Sequence, residues 1–331
     1  MNQKTCIIVG GGISGLISAT LLKQAGLSVI VLDKGRRIGG RLATRRVISL
    51  SNVEGTFDYG AQFLSVSDPL FETWLESLKH RGVAVKWTSE LGQANSPCYY
   101  GIRGNRCIAE YMAKDLEVHR QMHVARLFWK SDCWIVQAEN GSEFKADYLV
   151  LTAPIPQSLS LLDSSEISLQ LEQRQRLEEV NYQKCIAVLA LLERPSMIPH
   201  PGARWLNTST IAWLACNQRK GISQGHAVTL HSSSEFSQIY WETDNATVAE
   251  KLIEAASPLL GSTVVNSYVH RWRYSQPITT FGEPYLALEH PGPFVMAGDA
   301  FSLIKNTAST LNAEKAFLSG CAAANYLLRH T

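Results

Sequence analysis

Residues 5–46 read TCIIVGGGISGLISATLLKQAGLSVIVLDKGRRIGGRLATRR, and their periodicity decides the fold. Cys6 to Val9 has the apolar continuity of a short buried strand, Gly10 to Gly15 forms a turn, and Ile13 to Ala25 repeats Leu16, Ala19 and Leu22 on one helical face. Gly26 ends the helix where a left-handed residue is cheapest, and Val29 to Leu32 is a second apolar strand carrying Asp33 at its carboxyl end. The result is a βαβ unit with the spacing of a dinucleotide fingerprint. Gly10 makes the tight turn, Gly12 admits a pyrophosphate to the backbone, and Gly15 allows close helix-to-strand contact. The helix end at Ile13 and Ser14 offers free N–H groups to an anion, and Asp33, eighteen residues past Gly15, accepts from ribose hydroxyls.

Asp33-Lys34-Gly35-Arg36-Arg37-Ile38-Gly39-Gly40-Arg41 resembles the extended fingerprint of the amine-oxidase-like flavoproteins, an acid, three residues, Arg, any residue, then Gly-Gly-Arg. The resemblance implies FAD, lying along Asp33, Lys34, Gly40 and Leu42 with Arg37 and Arg41 near its phosphates. One or two of Arg36, Arg37, Arg41, Arg45 and Arg46 would simply be a solvated basic loop. Asp58-Tyr59-Gly60-Ala61-Gln62-Phe63 is similar to the element that brings backbone to the isoalloxazine ring in that family, so Gly60, Ala61, Gln62 and Phe63 would line the flavin. Without the resemblance it reads as an edge strand. Val124 falls where the family sets backbone against adenine. Near the C-terminus, the strand Phe294 to Ala297, Gly298-Asp299 and the helix Ala313 to Leu328 resemble the returning FAD element. There Asp299 would bond the ribityl or phosphate portion and the helix would aim its positive end at flavin N1 and O2.

The chain has 331 residues, enough for two domains at roughly one to two hundred each. Its 31 basic and 29 acidic residues leave a net charge of +2, which excludes the polyelectrolyte patch of a nucleic-acid or anionic-membrane binder. Seven cysteines without a CxxC pair argue against a disulfide framework or a zinc site, so no metal is expected and a reducing, cytoplasmic compartment is.

Along the chain, helical spacing predicts helices at 70–82 and 109–116, and a β-meander from Val118 to Leu127, Cys133 to Ala138 and Phe144 to Thr152. A charged helix at 168–180, strands at 185–192, 211–215, 227–231 and 264–272 and a helix at 247–260 form a second α/β layer. The fold class expected is α/β, a Rossmann-type FAD-binding domain (amine-oxidase-like, glutathione-reductase-type) interleaved with a smaller α/β substrate domain. Residues 1–70, 97–156 and 290–331 would belong to the first, and 71–96 and 157–289 to the second.

Ile211 to Gly221, His270 to Pro277 and Gly40 to Arg46 with Asp58 to Phe63 look like motifs of the renalase family, and together with both FAD elements the resemblance covers most of the chain. It implies noncovalent FAD and oxidation of 2- or 6-dihydro isomers of NAD(P)H to NAD(P)+, with molecular oxygen the acceptor and hydrogen peroxide the product. Asn217 and His231 would be polar contacts to the small-molecule substrate, although a structural histidine and a strand-ending asparagine are equally open. Arg271 and Arg273 either lie in solvent or enter the cleft, and Lys305 either approaches the flavin or is exposed. The chain departs from the pattern at the fourteen residues Ala300 to Ala313 and at Lys315, where a small residue is common. Two rival functions stay open, an amine oxidase or related desaturase, for which Tyr99, Trp213, Trp241 and Tyr274 could line a pocket, and a non-catalytic FAD-binding protein.

Overall fold

Thr5–Val9 stands inside a six-stranded sheet in a computed structural model that describes residues 3–48, 54–92, 96–303 and 312–330. The order across the sheet is Leu286–Leu288, Phe294–Met296, Tyr148–Leu151, Thr5–Val9, Ser28–Asp33 and Glu117–Arg120. All neighbours run parallel except the antiparallel edge pair formed by the first two. The central strands can be continuously apolar because helices cover their side chains. Ile8, Val31, Val150 and Val295 are fully buried with Leu22 of helix Ile13–Gln24 and Ala323 and Leu327 of helix Asn312–Leu328, each large side chain contributing about 1.5–3 kcal/mol.

By contacts the chain divides into two units, Met1–Gly40 with Ile108–Asn181 and Pro277–Thr331, and Arg41–Cys107 with Tyr182–Gln276. This grouping differs from the expected domains. Residues 41–70 and 97–107 join the second unit, because strand Thr44–Ile48 pairs with Glu54–Asp58, and Asp58 is ion-paired with Lys220. Residues 157–181 and 277–289 join the first, where Ile278 N–H donates to Asn181 O at 2.7 Å and Arg176 donates to Phe281 O at 3.1 Å.

Two expected strands each split. Gln121 adopts φ +58°, so the run from Val118 breaks into Glu117–Arg120, an edge of the six-stranded sheet, and Val124–Lys130, which opens a three-stranded meander. Asp147 divides the run at Phe144 in the same way, its carboxylate accepting from the backbone N–H and the hydroxyl of Thr5 at 2.8 Å each. Helix Ile155–Ser164 was not expected; Pro156 marks a helix start only when it falls in the first turn, as it does here.

The second unit is built on a five-stranded sheet, ordered Ala203–Trp205, Ile211–Cys216, Ala227–Ser232, Tyr182–Leu192 and Val264–Pro277. One face, with Ile186, Val188, Leu214 and Leu230, packs on Val248, Leu252 and Ala256 of helix Asn245–Leu260. The alternate residues Ala187, Leu189 and Leu191 pack on Val47 and Phe57.

Candidate functional site

In the first unit the carboxyl ends of the parallel strands converge on the glycine turn. Gly10 holds φ +116°, and a Cβ on Gly15 would strike the carbonyl oxygen of Gly10, so both positions require glycine. Gly12 differs, since a Cβ there meets nothing within 4 Å. Gly12 is also the N-cap of the helix and supplies no side chain to its open N–H groups, while the buried Ser14 hydroxyl has no hydrogen-bond partner. Open space, an uncapped positive helix end and an unpartnered hydroxyl beside Ile13 fit a pyrophosphate. Thr152 fills the floor beneath this turn, its one hydroxyl proton shared between Val9 O and Gly10 O, each 3.1 Å from Oγ1.

Asp33 is 8% exposed and organises its own surroundings, accepting from Gly11 N–H at 2.6 Å and Gly35 N–H at 2.7 Å. Each oxygen keeps a further lone pair for a ribose hydroxyl. Met122 N–H donates to Asp33 O at 2.9 Å, which brings Val124 to the same end of the sheet. Lys34 and Arg37 are exposed, and Lys34 reaches Gln157 Oε1 at 3.1 Å. Asp299 is 3% exposed, and the preceding Gly298, at φ +145°, lies against Thr152 and donates its N–H to Ser319 Oγ at 2.9 Å. Lys305 and most of the loop 300–313 lie outside the described residues.

In the second unit the segment Gly60–Phe63 hangs from a buried ion pair. Asp58 and Lys220 have fully buried side chains, joined Oδ2 to Nζ at 2.6 Å. Asp58 Oδ1 accepts from the Thr44 hydroxyl at 2.6 Å and Asn105 N–H at 2.8 Å. The ammonium of Lys220 also donates to Gln62 O and lies 5.4 Å and 5.3 Å from the ring centroids of Trp87 and Tyr100. Asn105 Nδ2 holds Ala61 O at 2.6 Å, and Ala61 N–H donates to Arg41 O at 2.8 Å. Gly60 must be glycine, because a Cβ would enter the carbonyl of Arg41. Leu42 is buried, and the Arg41 guanidinium donates to Ser275 O at 3.2 Å and Tyr274 O at 3.4 Å. Burial depresses the pKa of Lys220, while the carboxylate of Asp58 opposes that shift.

Asn217 is fully buried and engaged at both ends of its amide, with Oδ1 accepting from Asp58 N–H at 3.3 Å and Nδ2 donating to Thr229 Oγ1 at 2.9 Å. Of the two readings open for Asn217 this is the strand-ending one, since strand Ile211–Cys216 ends there and the side chain turns inward to fasten Asp58. His231 is placed differently. It pairs across the sheet with Trp213, which pairs with Trp205, and its Nε2 lies 3.1 Å from Tyr59 O and 3.5 Å from Gln62 Nε2. Burial lowers its pKa to about 4, the hydrogen bond to Tyr59 raising it and the charge of Lys220 lowering it further, so the ring is neutral at pH 7. Between pH 6.5 and about 4 the unfolded chain therefore binds the extra proton, and the stability present above this range is lost as pH falls through it. Urea midpoints at pH 7 and pH 4.5 are expected to differ less in His231→Gln than in the wild type; an equal drop would show that His231 is not the titrating group.

Of the two courses open from sequence, Arg273 takes the solvent one and is exposed, whereas Arg271 is half-buried. Arg271 Nε donates to Trp241 O at 2.9 Å, and Arg273 lies 5.6 Å from the Trp241 ring centroid. His270 and Trp272 point the other way and pack with Tyr59, ring centroids 5.0 Å and 5.5 Å from it. Of the aromatics considered for a pocket, Tyr99 is buried and donates to Glu76 at 2.5 Å, while Trp213 packs on Phe63 at 5.5 Å between centroids.

The profile of NAD(P)-binding Rossmann-like domains matches residues 8–78, and that of the flavin containing amine oxidoreductases matches residues 80–328. The chain belongs to the flavin-containing amine oxidoreductase family. It is 27% identical to renalase of Mus musculus over 318 residues, covering 89% of this chain and 92% of that one. Amine oxidase B of Mus musculus is 53% identical over 45 residues, 14% of this chain and 9% of the relative. Among solved structures, one described as a protoporphyrinogen oxidase from an Exiguobacterium species superposes with a TM-score of 0.70 at 13% identity, covering 98% and 100% of the two chains. A cofactor-binding redesign of putrescine oxidase gives 0.64 at 14%, covering 99% of each. At such identities the likeness shows the fold alone. The family membership makes the protein an FAD-dependent oxidoreductase. No helix among the described residues is long and apolar enough to cross a membrane.

Proposed function

We propose that this flavoenzyme binds FAD noncovalently and oxidises dihydronicotinamide dinucleotides reduced at ring carbon 2 or 6, passing the electrons to oxygen with release of hydrogen peroxide. FAD, when bound, would supply the two-electron acceptor, so this chain's own residues would contribute orientation of the donor ring rather than a base. The observation that carries this reading is His231, whose ring is neutral at pH 7 and lies beside Gln62 on the sheet face bearing Trp213. A neutral imidazole offers a hydrogen bond to a carboxamide without adding charge to a ring that becomes a cation. The resemblance to renalase along nearly the whole chain supports the same substrate class. Gly10, Gly12, Ile13, Ser14, Gly15, Asp33, Lys34, Arg37, Gly40, Arg41 and Val124 would hold the adenosine and pyrophosphate portions. Leu42, Gly60, Ala61, Gln62 and Phe63 would serve the remainder of the cofactor, and Asp299 its ribityl or phosphate portion.

Anaerobic stopped-flow mixing tests the substrate. The 2- and 6-dihydro isomers are expected to bleach the flavin roughly a hundredfold or more faster than 4-dihydro NADH, because geometry sets which carbon meets N5. Flavin that stays oxidised with these isomers and bleaches with a primary amine would replace the proposal with amine oxidation. The protein would be non-catalytic if neither class of donor, nor any related reductant, reduces its flavin.

A further inference from the structure

Lys315 is 2% exposed, and its Nζ has no hydrogen-bond partner among the described residues. A buried ammonium left in that state is costly, and proteins keep one where something else supplies the acceptor. Its place in the fold narrows what that is. Lys315 lies in the first turn of helix Asn312–Leu328, whose N-terminal end is positive. Five residues further, Gly320 packs so closely on the first helix that a Cβ would meet Ser14 O, and Gly320 O accepts from the Ser18 hydroxyl at 2.8 Å. Five residues of helix are about 7.5 Å, so Lys315 stands a short step from the end of the first helix, where Ser14 also lacks a partner. Asp299 is close enough to act on its charge. Burial lowers the pKa of Lys315, whereas Asp299 and then Glu314 raise it.

We propose that the Lys315 ammonium belongs to the FAD site, facing the electron-rich pyrimidine edge of the ring and stabilising the reduced anion. This rests on the assignment of Asp299 and the following helix as an FAD element. The pyrophosphate is already served by the uncapped helix at Gly12, which leaves the ring as the acceptor for Lys315. A positive charge there favours the reduced anion over the neutral oxidised ring, so it raises the reduction potential.

The test is anaerobic titration of the FAD-loaded protein against a reference dye, with flavin content measured alongside. Lys315→Met and Lys315→Gln are expected to keep the wild-type flavin content while shifting the oxidised-to-reduced ratio at fixed potential about tenfold or more toward oxidised, ~30 mV per tenfold for a two-electron couple. Met fills the same buried path without charge, and Gln serves if Met disturbs folding. An unchanged potential with full flavin overturns the role of Lys315, as does a variant that binds FAD more weakly yet keeps the potential, which would move the ammonium to a phosphate. Asp299→Ala separates this from the assignment beneath it. If that variant retains wild-type flavin content and potential, the C-terminal element is not an FAD element and the inference falls with it.

Discussion

Gly12→Val is expected to fold normally and to purify without FAD. Gly12 sits at φ −80°, ψ −179°, extended backbone that any residue adopts, and a Cβ meets nothing within 4 Å. A Cβ at Gly12 therefore clashes with nothing in the apoprotein. It occupies only the space over the open helix end, which a pyrophosphate must enter to reach the N–H groups. The affinity for FAD should fall by about a hundredfold or more, ~3 kcal/mol, read by titrating apoprotein with FAD. Urea midpoints of the two apoproteins should coincide. Gly15→Val supplies the contrast, since its Cβ would enter the carbonyl of Gly10 and the loss should appear in folding itself. Full flavin occupancy in Gly12→Val would remove Gly12 from the cofactor site.

The difference between these two glycines also marks how far a sequence can be read. The βαβ unit that carries Gly10, Gly12, Gly15 and Asp33 was legible because it is local, and strand, turn and helix follow from residues within a few positions of one another. The long-range half was not legible. Asp58 and Lys220 are 162 residues apart, and no spacing near either of them points to the other. Only the packing of Trp87, Tyr100 and the Gln62 carbonyl around its ammonium makes it a core residue. For Asn217 the sequence left two readings open. The renalase resemblance implied a substrate contact and its place after an apolar strand a strand-ending role, and only the third dimension supplies Asp58 N–H and Thr229 as its partners. Lys315 was visible as a departure from a family pattern, but its burial without a partner is a fact of packing.

The same buried pair yields the largest expected loss of stability. Lys220→Met leaves the Asp58 carboxylate in the interior without its cation, and breaking a buried pair from one side destabilises by ~3–5 kcal/mol. Methionine matches the lysine stem in length and can lie between Trp87 and Tyr100, so lost charge rather than lost volume dominates. Removing the carboxylate's charge as well should reverse most of the loss. In the double variant Asp58→Asn with Lys220→Met, the Asn oxygen still accepts from the Thr44 hydroxyl and Asn105 N–H, and no ion remains to be paired. Urea denaturation of the apoproteins measures both, and a double variant no more stable than Lys220→Met would mean that packing or the lost bond to Gln62 O, not the stranded carboxylate, accounts for the cost. The two explanations also part in the flavin. If Lys220 holds Gly60–Phe63 in place through Gln62 O, the double variant recovers its stability yet binds FAD more weakly than the wild type, because the ion pair secures the fold and the carbonyl bond secures the segment proposed to line the ring.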